Sequence, residues 1–281
     1  MNNKIIWIAV ILSVTIAIFS KFIPGDKNSN EFKPLDKNIG DEFTEISYPN
    51  KMFIINYTIS DVTGDAEKDM VLLVGEKSGE EAIANSNVIN MDVVIYDVSN
   101  SAFIKADSKR FNGSDNRITI ADFTGDKIQD IAIINLNDGK MCARIYSYEK
   151  GELNEIWRER ENKGLIFTGE FVDGFKCQIV NSKLNFSQFV NVSNKSKEYI
   201  ANAIYDNSGK MKKADMKVKT SGYITIDIVE LNDRNGIKTV QRVLGMDNND
   251  IIDEINCVWK YQDGKWQMVE AKGLKFGNLL Y

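Results

Sequence analysis

Beyond residue 50 the chain is a succession of short apolar or alternating segments, each about as long as one β-strand. β-Branched and aromatic residues dominate these segments, and clusters of Gly, Asn, Asp and Ser separate them. Strands are therefore predicted at 53–60, 69–75, 92–98, 102–105, 117–121, 130–136, 142–148, 153–157, 166–171, 176–180, 223–231, 237–244, 256–261 and 265–270. One short helix is predicted around Ser196 to Ile204, so the pattern indicates a mainly β domain over residues 51–281.

One nine-residue pattern, D-x-T-G-D-x-x-x-D, occurs twice between predicted strands. It reads DVTGDAEKD at 61–69 and DFTGDKIQD at 122–130. Each copy is predicted to be an acidic loop that joins two strands, and a hairpin with a polar turn follows it. The hairpins begin at Ile95 and Ile145. The predicted repeating unit is thus a strand, an acidic loop, a strand and a hairpin.

A third copy of this unit is predicted near the end of the chain, where VELNDRNGIKTV at 229–240 precedes a hairpin that begins at Val258. Leu231 and Thr239 stand where the other copies have Asp, so this loop is predicted to lack a metal site. A fourth copy, without an acidic loop, is predicted between Gly164 and Ala214. Four-stranded antiparallel units repeated at this period are typical of propeller blades, so the predicted fold is a small or incomplete β-propeller.

An uncharged apolar run at the amino terminus extends from Ile5 to Phe19. As a helix it spans about 22 Å, against about 30 Å for a bilayer core. It reaches Ile23 if the Lys21 side chain extends to the interface. Residues 1–23 are therefore predicted to be an uncleaved transmembrane helix or a signal segment, with a buried soluble helix as a third interpretation.

The predicted topology places most of the chain outside the membrane. Positive charge before the apolar run predicts a single-pass cell-membrane protein with its C-terminal domain outside, or a secreted protein if the leader is cleaved. Residues 24–50 contain all three prolines and many charged residues, so they are predicted to be an extracytoplasmic tether. Residues 51–281 then form the β-repeat domain.

The composition excludes several functional classes. The chain has no histidine, which removes Ser-His-Asp and Cys-His catalysis and His-ligated zinc. The formal net charge is −5 and no long basic run occurs, so nucleic acid is not an expected partner. Cys142, Cys177 and Cys257 are far apart and are predicted to be buried core residues, with one disulfide plus a free thiol as the alternative.

Each acidic loop concentrates three carboxylates, and a like-charged pair 4 Å apart costs about 4 kcal/mol at an effective dielectric constant near 20. Either a cation lies among them, or the carboxylates spread and accept hydrogen bonds from backbone N–H groups in a metal-free turn. Oxygen ligands at alternate positions of a loop are the kind that Ca²⁺ prefers. The two loops are therefore predicted calcium sites, with the metal-free turn as the alternative.

The two acidic segments resemble the FG-GAP or VCBS-type repeats of bacterial surface and secreted proteins, which are related to the propeller blades of the integrin α-chain. The resemblance covers most of residues 51–270 and is specific at the two loops. It implies structural Ca²⁺ held by side chains and by main-chain carbonyls at Glu67 and Ile128. The implied ligands are Asp61, Thr63, Asp65, Glu67, Asp69, Asp122, Thr124, Asp126, Ile128 and Asp130. The family has Gly at the sixth place, where this chain has Ala66 and Lys127.

Other conspicuous residues are predicted to be structural. Trp157, Trp259 and Trp266 are predicted to pack in hairpin arms, with a glycan-stacking platform as the alternative. The lysine-rich run from Lys210 to Lys219 is predicted to be a solvated loop, with binding of an anionic envelope polymer as the alternative.

The predicted function is that of a non-enzymatic binding module, anchored to a membrane, stabilised by calcium, and bound to an unknown envelope protein or glycan. No catalytic residue and no cofactor other than Ca²⁺ is predicted. The alternative is a secreted or anchored glycan-acting hydrolase, which requires two carboxylates about 5–9.5 Å apart in a cleft. A third interpretation is an envelope component that has no discrete ligand.

Overall fold

The computed structural model describes residues 35–78, 87–106, 109–159, 162–184, 186–214 and 216–273. They belong to one compact unit that spans Lys33–Tyr281. The predicted anchor at 1–23 lies outside the described residues, as does the 24–34 part of the predicted tether. Across the described ranges, the structure has no helix with the length and apolar character needed to span a bilayer.

Strands account for 59% of the structure and helices for 5%, so the prediction of a mainly β, antiparallel protein is confirmed. The strands of the first half are β1 (Glu42–Phe43), β2 (Met52–Ser60), β3 (Asp69–Lys77), β4 (Val88–Asp97), β5 (Ala102–Lys105), β6 (Phe111–Ala121), β7 (Asp130–Asn137), β8 (Lys140–Glu149) and β9 (Glu152–Glu159). Those of the second half are β10 (Thr168–Val172), β11 (Lys176–Asn181), β12 (Phe186–Asn191), β13 (Lys219–Glu230), β14 (Asn235–Leu244), β15 (Ile251–Gln262) and β16 (Lys265–Gly273). The helix α1 (Ser196–Ala201) lies where one was predicted.

Each predicted strand overlaps an observed one, and the differences have local causes. Strand β6 begins at Phe111, six residues before the predicted start, because a polar stretch with an irregular register precedes Arg117. Strands β1 and β12 were not predicted. The two residues of β1 are too few to show alternation, and β12 is bordered by polar residues that are typical of loops.

Three four-stranded antiparallel meanders recur along the chain. The first unit is β2–β5, the second unit is β6–β9, and the third unit is β13–β16. In each unit the second strand pairs with the first across a loop and the last two strands form a hairpin, as the repeating pattern predicts. Strand β4 also pairs with β6 at Val88–Gly113 and Met91–Phe111, which joins the first two units into a nine-stranded sheet with β1.

The region of the predicted fourth unit is a three-stranded sheet of order β10–β11–β12 rather than a four-stranded unit. Residues that follow β12 form a 3-10 turn, Ser193–Lys195, and then α1. Tyr199 on α1 is fully buried, so this segment covers the sheet with a helix where a fourth strand was expected.

Neighbouring parts of the fold share their apolar cores. Val71 and Ile95 of the first unit belong to the same cluster as Ile133 of the second unit. A second cluster joins the second and third units and includes Phe123 and Ile237. A third joins the three-stranded sheet to the third unit. Each shared cluster removes apolar surface from water on both partners, which holds successive sheets together.

The second part of the predicted tether lies on the first unit. Strand β1 pairs with the start of β2, and the Gly40 amide donates a 2.8 Å hydrogen bond to the Ile54 carbonyl. Phe43 is 3% exposed and packs in a cluster with Met52. The polar and charged segment at 35–50 therefore contains a short strand and a buried aromatic side chain.

The cysteines and tryptophans are structural, as predicted. Cys142, Cys177 and Cys257 are buried free thiols, which rules out a disulfide among them. The Trp157 ring lies 5.0 Å from that of Trp266 and 5.8 Å from that of Trp259, edge to face in both pairs. Because Trp157 is on β9 and its partners are on β15 and β16, the three rings pack between the second and third units.

Candidate functional site

The two acidic loops have the same hydrogen-bond geometry. Their first carboxylate caps the turn: Asp61 accepts from the amides of Gly64 at 2.7 Å and Ala66 at 2.9 Å. In the second loop Asp122 accepts from Gly125 at 2.5 Å and Lys127 at 3.0 Å.

The last carboxylate of each loop turns inward and is buried. Asp69 Oδ2 accepts from the amides of Val62 and Thr63, both at 3.1 Å, and from the Thr63 hydroxyl at 3.0 Å. Asp130 Oδ2 accepts from the amides of Phe123 at 2.8 Å and Thr124 at 3.0 Å. These bonds fix the beginning of each loop to the first residue of the strand that follows it.

The middle carboxylates are exposed, and each accepts a hydrogen bond from the amide two residues later. Asp65 accepts from the Glu67 amide at 2.9 Å, and Asp126 accepts from the Ile128 amide at 2.8 Å. A hydrogen bond from the Ser99 hydroxyl, and then the Glu67 amide, lower the pKa of Asp65. The middle residue therefore shapes only the tip of the loop.

The sixth residue of each loop adopts the left-handed conformation although neither is glycine. Ala66 has φ 74° and Lys127 has φ 73°, and the fourth residues, Gly64 and Gly125, both have φ 81°. A non-glycine residue resists this conformation, but the amide of the sixth residue donates to the first carboxylate, which offsets the cost. The absence of Gly at this place therefore leaves the turn intact.

Burial sets the protonation behaviour of the last carboxylate. Burial raises the pKa of Asp130 from 3.8 to about 6, although hydrogen bonds from the Ser147 hydroxyl and the loop amides act in the opposite direction. Burial also raises the pKa of Asp69. Asp69 and Asp130 thus have raised pKa values for the same reason: each carboxylate is buried away from water, where it accepts hydrogen bonds from backbone N–H groups.

The carboxylates of the loops accept hydrogen bonds from their own backbone and do not converge on one point. Within the ranges that the structure describes, no group of three or more carboxylates or thiols is placed to hold a metal ion. These hydrogen bonds are the ones expected of an Asx-type turn, and they do not test whether Ca²⁺ binds. Calcium binding at the predicted residues remains a prediction.

The three inter-strand loops lie side by side. A Cβ atom added to Gly64 would lie 2.7 Å from Cδ1 of Ile128, so the second loop packs on the first. The guanidinium of Arg234, in the third unit, occupies the same position over Gly125. Arg234 Nη1 donates to the Thr124 carbonyl at 2.5 Å and to the Tyr261 carbonyl at 2.9 Å. The glycine at the fourth place of each acidic loop thus leaves space for a side chain of the next loop: Ile128 packs over Gly64, and Arg234 packs over Gly125.

A groove of about 800 Å³ lies at the other end of β7 from the second acidic loop, and along an eight-residue strand this is about 25 Å away. Its borders are the β7–β8 turn at 137–140, the segment 162–167 and the start of β13. The side chains that line it include Lys140, Lys163 and Lys219.

Two buried side-chain amides hold the 162–167 wall of this groove in place. Asn162 pairs with the backbone of Tyr223: Nδ2 donates to the carbonyl at 2.7 Å and Oδ1 accepts from the amide. Gln241 pairs with Leu165 in the same way, accepting at 2.8 Å and donating at 2.7 Å. Asn162 is 7% and Gln241 is 1% exposed, so water competes little for these bonds.

Two smaller cavities adjoin the groove. One of about 200 Å³ shares Asn137 with it and is also lined by Arg110, Arg144 and Glu159. The other, of about 310 Å³, shares Lys140, Asn162 and Gly222. Among the described residues, none of these three spaces is lined by a pair of carboxylates.

Sequence reasoning located the acidic loops but missed the groove. The lysine-rich run from Lys210 to Lys219 was the one part of the sequence analysis that pointed to this region, because Lys219 lines the groove. Within the same run Lys217 pairs instead with Glu170 at 3.1 Å. No local sequence pattern marked Asn162 or Gln241, because their hydrogen-bond partners lie 61 and 76 residues away in the chain.

Comparisons with known proteins concern the second half most directly. Residues 165–273 match the family of the YybI C-terminal domain. This is less than half of the chain and covers the three-stranded sheet and the third unit. Over 238 residues the chain is 25% identical to a protein of Bacillus subtilis (strain 168) that is named "Uncharacterized protein YybI", covering 80% of this chain and 86% of that protein.

Among solved structures, the chain is similar to rhamnogalacturonan lyase YesW, with a TM-score of 0.36 and 9% identity. The similarity covers 86% of this chain and 38% of the lyase, and at this score it carries no argument about function. These matches do not test the resemblance to FG-GAP or VCBS repeats, which remains a prediction.

Proposed function

We propose that this protein is a non-enzymatic binding module outside the cell membrane, held there by residues 1–23, and that the groove at 137–140 binds its envelope ligand. The observation that carries the proposal is the groove itself. Its volume of about 800 Å³ is in the range of ligand-binding clefts, and its 162–167 wall is fixed by buried amide pairs. A wall that is ordered before binding loses little freedom when a ligand enters.

The lining of the groove favours binding over glycan hydrolysis. Hydrolysis by paired carboxylates needs two acids that face each other across the cleft. Asp138 is the carboxylate that lines the groove, and Glu159 lines the neighbouring cavity. The other polar side chains of the lining are mainly lysines and amides. Such groups are suited to bind a ligand without changing it chemically.

We further propose that the three four-stranded units are related repeats of the FG-GAP or VCBS type in a small or incomplete propeller. Their common strand order supports this, as does the side-by-side position of their inter-strand loops. Both acidic loops also close through the same backbone-to-carboxylate hydrogen bonds, as related repeats would.

The experiment is a binding and turnover assay with the purified full-length chain in mild detergent and isolated cell-envelope glycan of the source organism. The expected result is saturable retention of the protein with no release of soluble fragments or new reducing ends. Fragment release that is abolished by Asp138→Asn would favour the hydrolase. Retention no greater than that of a detergent-solubilised single-pass control protein would overturn the binding proposal.

The location is tested separately by fusion of alkaline phosphatase or green fluorescent protein after Tyr281. If the C-terminal domain lies outside the membrane, the alkaline phosphatase fusion should be active and the green fluorescent protein fusion should not fluoresce. The reverse pattern would place the groove in the cytoplasm and contradict the proposed localisation.

A further inference from the structure

The groove concentrates positive charge in a protein whose formal net charge is −5. Lys140, Lys163 and Lys219 line it, and among the described residues Asp138 is the one carboxylate of the lining. The three lysines come from the β7–β8 turn, the 162–167 wall and β13, so the fold gathers them from distant parts of the chain. Local charge of one sign in a cleft raises the concentration of ions of the opposite sign.

Two of these lysines are not used by the protein itself. In the part of the chain that the structure describes, neither Lys140 nor Lys219 makes an ion pair with a carboxylate. By contrast, Lys195 pairs with Asp250 at 2.5 Å and Lys260 with Asp233 at 2.9 Å. The ammonium groups of Lys140 and Lys219 therefore lie available to a ligand.

Strand β8 leads from the groove into the smaller cavity. Lys140, Cys142 and Arg144 are alternate residues of this strand and lie on one face, with about 13 Å between the first and the last. Cys142 and Arg144 line the smaller cavity that shares Asn137 with the groove. The smaller cavity thus extends the groove past Asn137, and Arg110, Arg144 and Glu159 line this path.

The cation at the far end of this path is held rigidly. Arg144 is 4% exposed, and its guanidinium donates to the Lys109 carbonyl at 2.7 Å and pairs with Glu155 at 3.2 Å. It also stacks on the Phe111 ring, 4.2 Å from the centroid. Because Glu155 already pairs with this guanidinium, Arg144 orders the wall of the smaller cavity, and the positive charge that is open to a ligand lies at Lys140 and Lys219.

From this arrangement we infer that the groove binds a linear polymer with regularly repeated anionic groups. The inference rests on the proposed binding function and names its ligand class. Lysines that the fold gathers from three separate elements around one groove can contact several anions of one polymer chain, and a single phosphate or carboxylate offers fewer such contacts. Asn137 and Thr220 add hydrogen-bonding groups for the hydroxyls between the charges.

Phosphodiester and carboxylate polymers share this chemistry, and the experiment separates them. Fluorescently labelled polyglycerol phosphate, polygalacturonate and neutral dextran of matched length are titrated with the full-length chain in mild detergent. The expected result is binding to at least one polyanion, no binding to dextran, and a loss of affinity of about tenfold or more between 50 and 200 mM salt, as displaced counterions require. The tighter polyanion identifies the source of the anion.

The deciding variant is Lys140→Gln with Lys219→Gln, and the control is Lys176→Gln with Lys265→Gln. All four lysines are exposed, and both double variants change the net charge by the same amount, but Lys176 and Lys265 do not line the groove. The groove variant is expected to weaken binding at least tenfold and the control less than twofold. Unchanged melting temperatures show that both variants fold.

Three outcomes would overturn the inference. Equal loss in the two variants would mean unspecific attraction. Retention on cell-envelope glycan without binding to either polyanion would refute the ligand class but leave the proposed binding function standing. Failure to bind envelope glycan as well would refute both.

Discussion

The second acidic loop and the corresponding turn of the third unit lie against each other. Carboxylates make the main side-chain hydrogen bonds of the loop, whereas a guanidinium makes those of the turn. The loop at 122–130 folds around carboxylates that accept backbone N–H groups. The turn at 231–234 projects the guanidinium of Arg234, which donates to backbone carbonyls. The Asn235 amide also donates to the Asp122 carbonyl at 2.6 Å, so the two elements are directly bonded.

The length of the connection explains the difference. A nine-residue loop leaves several amides without a partner in the sheet, and buried amides need acceptors. The Asp side chains supply these acceptors. The shorter turn closes on itself, because the Leu231 amide donates to the Arg234 carbonyl at 2.8 Å. It therefore needs no Asp at 231 or 239, and Thr239 instead accepts from Trp259 Nε1 at 3.0 Å.

The largest expected effect comes from Asp130→Ala, which leaves the amides of Phe123 and Thr124 without their acceptor. Each unsatisfied buried group costs roughly 1–3 kcal/mol, so the free energy of unfolding should fall by about 3 kcal/mol at pH 7. Urea denaturation of the full-length chain followed by tryptophan fluorescence measures it. Asp126→Ala, which removes one exposed bond, should cost under about 1 kcal/mol. Equal losses would show that the buried carboxylate does not organise the loop.

The second prediction is a change in the pH dependence of stability in Asp130→Asn. Because the folded-state pKa of Asp130 is about 6 against 3.8, the native state binds the proton more tightly, and this carboxyl stabilises the fold at low pH. That contribution is lost as the pH rises from about 4 to about 6. Asn keeps an acceptor but does not titrate, so the variant should gain about 2–3 kcal/mol relative to the wild type between pH 4 and pH 8.

Asp65→Asn is the control for this pH series, because hydrogen bonding lowers the pKa of Asp65. A carboxylate with a lowered pKa stabilises the fold above its unfolded-state pKa and loses that contribution as the pH falls. Its variant should therefore show the opposite sign, and a smaller change, in urea midpoints measured below pH 5. A pH profile of Asp130→Asn parallel to that of the wild type would contradict the burial of this charge.

Removal of the guanidinium from the other side of the contact is expected to have a somewhat smaller effect. Arg234→Ala deletes the bonds to the Thr124 and Tyr261 carbonyls and empties the space over Gly125, so stability should fall by about 2 kcal/mol. Arg234→Lys should recover less than half, since an ammonium group lacks the planar fork of donors. Lys260→Ala removes a solvated ion pair to Asp233 and should cost less than about 1 kcal/mol in the same urea experiment.

The smallest expected effect is that of calcium removal. Since the loop amides already bond to the carboxylates, chelation should change the melting temperature of the full-length chain by less than about 2 °C. A larger fall that added Ca²⁺ restores, and that Asp126→Ala reduces, would confirm the calcium sites. The comparison between loop and turn would then be one between an occupied and a lost metal site.

The sequence by itself determined where the strands lie, that they recur in units, and that two loops share one geometry. These features depend on interactions between residues close in the chain: side-chain alternation, loop length and bonds such as the one between Asp61 and the Gly64 amide, three residues apart. The same local pattern led to a wrong strand count after residue 164. There the structure has three strands followed by the predicted helix, whose Tyr199 is buried, because the number of strands in a unit depends on how the sheets pack and not on the local pattern.

Only the tertiary structure determined which residues of different units contact one another. Arg234 meets Thr124 across 110 residues of chain, and Asn162 meets Tyr223 across 61. No local pattern encodes such partners, because they are selected by the packing of whole sheets through shared apolar clusters. The groove has the same origin: its lysines are unremarkable in the sequence, and they become one charged surface only when the β7–β8 turn, the 162–167 wall and β13 are brought together.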